Sequence, residues 1–140
     1  MAKEFPLKSE GFHPFGELIG LNFVRCEEGF TRGVLEVDEK LFNPHHVLHG
    51  GVIYTMADTG MGAAVYGCLN EDELCATVEI KIVYFAPVTS GLLRCDTKLV
   101  HRGKRFAFLE SEVRNDEGLV AKATGTYSIF RTTEDGAPSV

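Results

Sequence analysis

Tryptophan is absent from this 140-residue chain, proline occurs 5 times and cysteine only 4 times. None of Cys26, Cys68, Cys75 and Cys95 stands at C-x(2–4)-C spacing, so no zinc knuckle or redox pair is read from them. Basic charge is also short: 14 Lys and Arg face 20 Asp and Glu, for a net charge of −6. A non-specific nucleic-acid binder needs a basic surface to displace counterions, so no nucleic-acid partner is expected. No long apolar run exists either. The most weakly charged stretch, Gly50 to Asn70, carries Asp58 and five glycines. That is too polar for a spanning helix, which needs about 20 predominantly apolar residues. The opening residues, Met1 to Glu10, hold charges where a signal peptide is apolar. The expectation is a cytoplasmic protein with no membrane partner and with reduced, mostly buried thiols. G-x-S-x-G, P-loop and HExxH motifs are missing as well.

What is present is the composition of an ordinary globular domain: 44% apolar and 24% charged residues, with 15 glycines. One domain over 1–140 is expected, with its core at about 21–130 and loose ends at 1–10 and 131–140. Leu21 to Cys26 and Phe30 to Val37 read as a hairpin turning at Glu28-Gly29. Leu41 to Leu48 is irregular, with a turn at Asn43-Pro44. From Gly50 to Leu69, residues Val52, Ile53, Met56, Ala57, Gly60, Met61 and Ala64 recur at helical spacing. The polar minority forms no broad face, so most of this helix is expected to be buried. Strands follow at Ala76–Ala86, Leu92–His101, Arg105–Arg114 and Leu119–Phe130, with tight turns that favour antiparallel pairing. The fold class is therefore α+β: a long central helix held by a curved antiparallel sheet of five to six strands.

Asp58 is the only charged residue between Gly50 and Asn70. A carboxylate on a buried helix calls for a partner or a task, and general base or nucleophile is the task such a site offers. Two glycines open the helix after Asn43-Pro44-His45-His46-Val47-Leu48-His49. Their N–H groups, with the helix dipole, suit a developing oxyanion. Gly50 and Asp58 are eight residues apart, about 12 Å along one helix axis. One carbonyl group cannot be polarised by the first and attacked at the second. If both act on one substrate, two antiparallel copies of the helix must meet in a homodimer with two composite sites. His45, His46 and His49 stand in an irregular segment without metal-ligand spacing, so no metal is expected. Gly60-Met61-Gly62 lies inside a helix, so it is not a dinucleotide fingerprint but a place of close packing. Lys98, His101, Arg102, Lys104 and Arg105 make a basic hairpin in an acidic chain, suited either to blunting an edge or to receiving phosphates.

His49-Gly50-Gly51, followed by apolar helix and Ala57-Asp58-Thr59, resembles the signature of hotdog-fold acyl-CoA thioesterases. The branch it resembles is the phenylacetic-acid-degradation type, related to the 4-hydroxybenzoyl-CoA thioesterases. Tyr84-Phe85-Ala86-Pro87, Arg102-Gly103-Lys104 and Gly118 to Tyr127 extend the likeness, which covers about Leu21 to Phe130. The resemblance implies a hotdog fold and hydrolysis of an aryl- or fatty-acyl-CoA to free acid and CoA, with no cofactor beyond the CoA of the substrate. It implies that Gly50 N–H polarises the thioester carbonyl and that Asp58 of the other subunit is nucleophile or general base. Asn43 would help hold the thioester or water, Thr77 would position water or Asp58, and His49 would support the loop. Gly51, Arg102, Gly103, Lys104 and Arg105 would line the path of CoA. Homodimers, paired into tetramers, are implied too. Two other readings stay open on the same fold: an acyl-CoA-binding module without catalysis, and a dehydratase, which the spacing from His49-Gly50-Gly51 to Asp58 fits poorly.

Overall fold

Periodicity, turn glycines and prolines locate most elements of the computed structural model, which describes residues 3–132. Helix α1 spans Pro14–Ile19, strand β1 Leu21–Glu27 and β2 Phe30–Glu36. A 3-10 turn at Glu39–Leu41 leads to helix α2, Gly50–Tyr66. Strands β3 (Glu73–Tyr84), β4 (Leu92–Arg102), β5 (Phe106–Asn115) and β6 (Gly118–Arg131) complete the chain. The sheet has six antiparallel strands in the order β1-β2-β4-β5-β6-β3. It curves around α2, as the sequence leads one to expect.

The helix is held because its apolar positions face the inner side of the sheet. Met56, Ala57, Met61, Ala64 and Val65 are fully buried against Leu35, Leu93, Leu109, Val113 and Ala121. Each large aliphatic group removed from water in this layer stabilises the fold by about 1.5–3 kcal/mol. Contact is closest at Gly60, where Thr31 Oγ1 donates to the Gly60 carbonyl at 2.8 Å. A Cβ on Gly60 would lie 2.7 Å from Thr97 Oγ1, so only glycine lets the helix sit this near β4. The expectation of close packing holds at Gly60. At Gly62 the nearest atom is 3.7 Å away, an ordinary contact.

Apart from the start of β3, strand ends shift from the sequence reading by at most two residues, and larger differences lie elsewhere. Helix α2 ends at Tyr66, not Leu69, because beyond Gly67 the bonds tighten to i→i−3, Cys68 N–H donating to the Val65 carbonyl and Leu69 N–H to the Tyr66 carbonyl. Strand β3 begins at Glu73, ahead of Ala76. Helix α1 is additional: Pro14 opens it and Gly20, at φ 83°, closes it in the left-handed conformation. The segment 3–10, expected to be loose, lies against the core. Phe5 makes edge contacts with Phe12, Phe23 and Tyr66, and Ser9 is buried with its hydroxyl donating to the Leu21 carbonyl. Of the expected C-terminal loose end, residues 133–140 lie outside the described residues. All four cysteines are free, Cys95 buried and the other three half-buried. No helix among the described residues is long and apolar enough to cross a membrane.

The sheet has an edge at β1 and another at β3, and the β3 edge leaves Ala76 to Glu79, Lys81, Val83 and Tyr84 exposed. One stripe of α2, comprising Thr55, Asp58, Thr59 and Gly62, remains half-exposed at mid-helix, between a more open first turn at Gly50, Gly51 and Tyr54 and a half-exposed Tyr66 at the end. Most of the helix is thus covered, as expected, and the stripe that is not covered contains its one carboxylate.

Candidate active site

The start of α2 is built from the loop before it. His49 has extended backbone angles and is the N-cap, its Nδ1 accepting from Gly51 N–H at 2.8 Å. Accepting at Nδ1 places the imidazole proton on Nε2. The His49 carbonyl accepts from Val52 N–H at 3.0 Å. Tyr84, at the end of β3, donates its hydroxyl to the Gly50 carbonyl at 2.7 Å. Burial pushes that hydroxyl above its ordinary range, so it remains a donor. The Gly50–Gly51 peptide is therefore clamped at its oxygen by Tyr84 and at its nitrogen by His49. Gly50 N–H itself donates to no described residue. The free donor at the helix start is thus a single group, with satisfied groups on both sides of it.

Asn43 lies beside this donor. It lines a groove of about 340 Å³ with Gly50, Ile53, Tyr84 and Phe85. Its Oδ1 accepts from His45 N–H at 2.8 Å and Val47 N–H at 3.4 Å, an Asx-type turn that shapes the loop. Its Nδ2 is left as the group available to a ligand. His45 and His46 are exposed at the tip of this loop, where His46 takes φ 63°. No metal-binding group of His, Cys, Asp or Glu exists among the described residues.

The second part of the site is at mid-helix. Thr77, on β3, donates its hydroxyl to Asp58 Oδ1 at 2.8 Å. Tyr127, on β6, is buried and donates to the same oxygen. Thr77 and Tyr127 are cross-strand partners in the β3–β6 ladder. The ladder shifts register directly after Thr77, a bulge that leaves Val78 exposed. Sequence reasoning named Thr77 but gave Tyr127 no task. Its only signal was the late-strand match ending in Gly125-Thr126-Tyr127.

Gly50 and Asp58 stand at the first and ninth positions of one unbroken helix. The single chain therefore brings together Asp58, Thr77 and Tyr127 at one point, and Asn43, His49, Gly50, Gly51 and Tyr84 at another. The basic hairpin is at a third, near the C-terminal end of α2. There Arg102 is engaged inside the fold. It pairs with Glu73 at 2.8 Å and donates to the carbonyls of Gly103 at 2.9 Å and Cys68 at 3.5 Å. Gly103 forms the turn, its N–H donating to the Phe106 carbonyl. Lys104 and Arg105 are exposed and have no ion-pair partner among the described residues.

Comparison with known proteins gives the family of the chain. The model of the thioesterase superfamily matches residues 45–122, from the loop before α2 through β5 into β6. The chain belongs to the thioesterase superfamily. It is 29% identical over 100 residues to the 1,4-dihydroxy-2-naphthoyl-CoA hydrolase of Listeria monocytogenes, covering 71% of this chain and 81% of that one. It is 26% identical over 132 residues to the medium/long-chain acyl-CoA thioesterase YigI of Escherichia coli K12, covering 83% and 85%. The solved structure of thioesterase HI1161 of Haemophilus influenzae superposes with a TM-score of 0.84 at 23% identity, covering 92% of this chain and 93% of that one. That likeness establishes the hotdog fold. As a member of the superfamily, this thioesterase is an enzyme of thioester hydrolysis.

Proposed function

We propose that this thioesterase hydrolyses an acyl-CoA, aryl or fatty, to the free acid and CoA in a homodimer whose two sites each draw on both subunits. Within the superfamily we place it with the phenylacetic-acid-degradation branch, on the spacing of His49-Gly50-Gly51 to Asp58. The observation that carries the proposal is the single free N–H of Gly50, set at the start of the helix that bears Asp58 about 12 Å further along. A thioester carbonyl held at that N–H needs an attacking group from elsewhere. An antiparallel second copy of α2 brings Asp58 of the other subunit opposite it.

The unpaired surfaces support the same assembly. In β3, Glu79 and Lys81 flank Ile80 on an edge that lacks a neighbour among the described residues. A two-fold axis through Ile80 would pair the two edges antiparallel, with Glu79 of one copy opposite Lys81 of the other. The half-exposed stripe of α2 would then be covered as well. Dimers of this kind can pair further into tetramers.

In the reaction, Gly50 N–H stabilises the oxyanion, a contribution of about 2.7–4 kcal/mol for one such donor. Asp58 attacks the carbonyl carbon itself or deprotonates a water that does. Asn43 Nδ2 holds the thioester or that water, and Thr77 fixes the carboxylate. Lys104 and Arg105 receive the phosphates of CoA at the exposed hairpin. No cofactor is required, because the thioester is already activated, and cytoplasmic acyl-CoA supplies the substrate.

Thiol release from a panel of aryl-, short-, medium- and long-chain acyl-CoAs tests this reading, with Asp58→Asn measured alongside. The expected result is turnover by the wild type that the substitution abolishes. Near wild-type turnover by Asp58→Asn would overturn the proposal. So would a flat panel with tight acyl-CoA binding, which would make the protein a binding module.

A further inference from the structure

We infer that Tyr127 is a positioning residue that fixes which oxygen of Asp58 meets the substrate, a role that rests on the thioesterase reading above. The Thr77 and Tyr127 hydroxyls both donate to Oδ1, and no described residue donates to Oδ2. The carboxylate is thereby held by one oxygen and open at the other. Tyr127 also lies 2.6 Å from the Asp58 backbone carbonyl, so one phenol touches both ends of the same residue. A side chain tied at its oxygen and beside its own main chain has little freedom to rotate.

The phenol is itself well fixed. Tyr127 is 2% exposed and packs with Ala57, Met61, Ala107, Leu109 and Ile129. Its backbone is paired on both sides, with Thr77 in β3 and with Ala107 in β5. Thr77, by contrast, is exposed at the sheet edge beside a bulge. Of the two donors, the tyrosine is the rigid one. It carries a single hydrogen, and the charged carboxylate is the stronger acceptor of the two oxygens in reach. Burial, and then the proximity of Asp58, push the Tyr127 hydroxyl far above its ordinary range, so it holds its proton wherever the carboxylate is charged.

Oδ2 is then the atom that attacks or accepts the proton of water, and Oδ1 is the anchor. Without Tyr127 the carboxylate would rotate, and the fraction of encounters with an aligned oxygen would fall. The binding of acyl-CoA would not change, because the Tyr127 side chain is buried in the core.

Tyr127→Phe retains the packed ring and removes only the hydroxyl. On the wild-type enzyme's preferred acyl-CoA, kcat is expected to fall about tenfold to a hundredfold, the loss of one hydrogen bond to a charged group. KM should stay within about twofold, and the acid limb of the pH–kcat/KM profile should move to higher pH. Fluorotyrosine at position 127, a stronger donor that keeps the fold, should move that limb to lower pH and keeps the test valid if the Phe variant does not fold. Unchanged kcat in Tyr127→Phe, with turnover still abolished in Asp58→Asn, would overturn this inference alone. An acid limb that neither substitution moves would also overturn it, leaving Tyr127 a packing residue. Turnover that survives in Asp58→Asn would instead overturn the thioesterase assignment of Asp58 on which the inference rests.

Discussion

The Tyr84 hydroxyl donates to the carbonyl of Gly50 at 2.7 Å, so the last residue of β3 holds the first residue of α2. The two are 34 positions apart in sequence, and β3 is the edge through which we propose that two copies join. A change at that edge therefore reaches Gly50, the residue whose N–H we propose as the oxyanion donor.

The first prediction follows from this contact. Tyr84→Phe should cost about 1 kcal/mol of stability, the net value of one partly exposed hydrogen bond. It should lower kcat/KM by more than that loss of stability explains, because the Gly50–Gly51 peptide is freed at its oxygen. Gly50→Ala should do so more strongly. Its Cβ would lie 3.0 Å from Tyr84 Cζ, so the ring must move and the same contact is lost. The double variant should be no worse than Gly50→Ala alone, since both changes break one interaction. Additive losses in a kinetic double-mutant cycle would show that the contact does not position the donor.

The second prediction concerns pH. Burial pushes the Cys95 thiol up to about 12 and those of Cys26 and Cys75 to about 11. In the unfolded chain they ionise near 9. Raised native values mean that stability is fully present below pH 9 and is lost as pH rises toward 11 and 12, because the unfolded state gives up protons that the native state keeps. The urea midpoint should be flat from pH 7 to 9 and fall above that. Cys95→Ala should reduce the fall, although it leaves a small cavity. For the same reason iodoacetamide at pH 8 should label Cys95 only after unfolding. Rapid native labelling of Cys95, or a midpoint flat up to pH 11, would contradict the burial of these thiols.

These residues also show how far the sequence could be read. The period of Val52, Ile53, Met56 and Met61 revealed α2, and Asp58 stood out because nothing else near it is charged. Both are local patterns. Tyr127 was not legible as a partner of Asp58, since its place depends on the β3–β6 register across a bulge at Val78. Helix α1 gave little signal because it has only six residues, of which Phe15 and Leu18 remain exposed. Pro14 and Gly20 did mark its ends. Phe5 was unreadable as a core contact, because its ring partners Phe23 and Tyr66 are brought near it only by the folded sheet and helix. Arg102 was read with its basic neighbours, as sequence proximity suggests, but its partner Glu73 is 29 positions away.

That pair gives the last prediction, which separates three adjacent cations by what they touch. Glu73 is 8% exposed, and it receives Arg102 while its carboxylate also caps Asn70 N–H at 2.9 Å. Arg102→Ala would strand this carboxylate in a poorly solvated place, and removing one partner of a buried pair is more costly than the pair itself is worth. With about a quarter of the arginine side chain still exposed, a loss of about 2 kcal/mol is expected in urea unfolding. Lys104→Ala and Arg105→Ala remove charges that stand in solvent, so their stability should change by less than about 0.5 kcal/mol. Their effect should fall on the substrate instead. If they meet the phosphates of CoA, KM for acyl-CoA rises in each variant. The rise should shrink as salt is added, because exposed charges are screened beyond about 10 Å at 0.1 M. Arg102→Ala should keep the wild-type KM wherever it remains folded. The reverse pattern, with KM raised by Arg102→Ala and untouched by the other two, would mean that the Glu73 pair opens to admit the nucleotide.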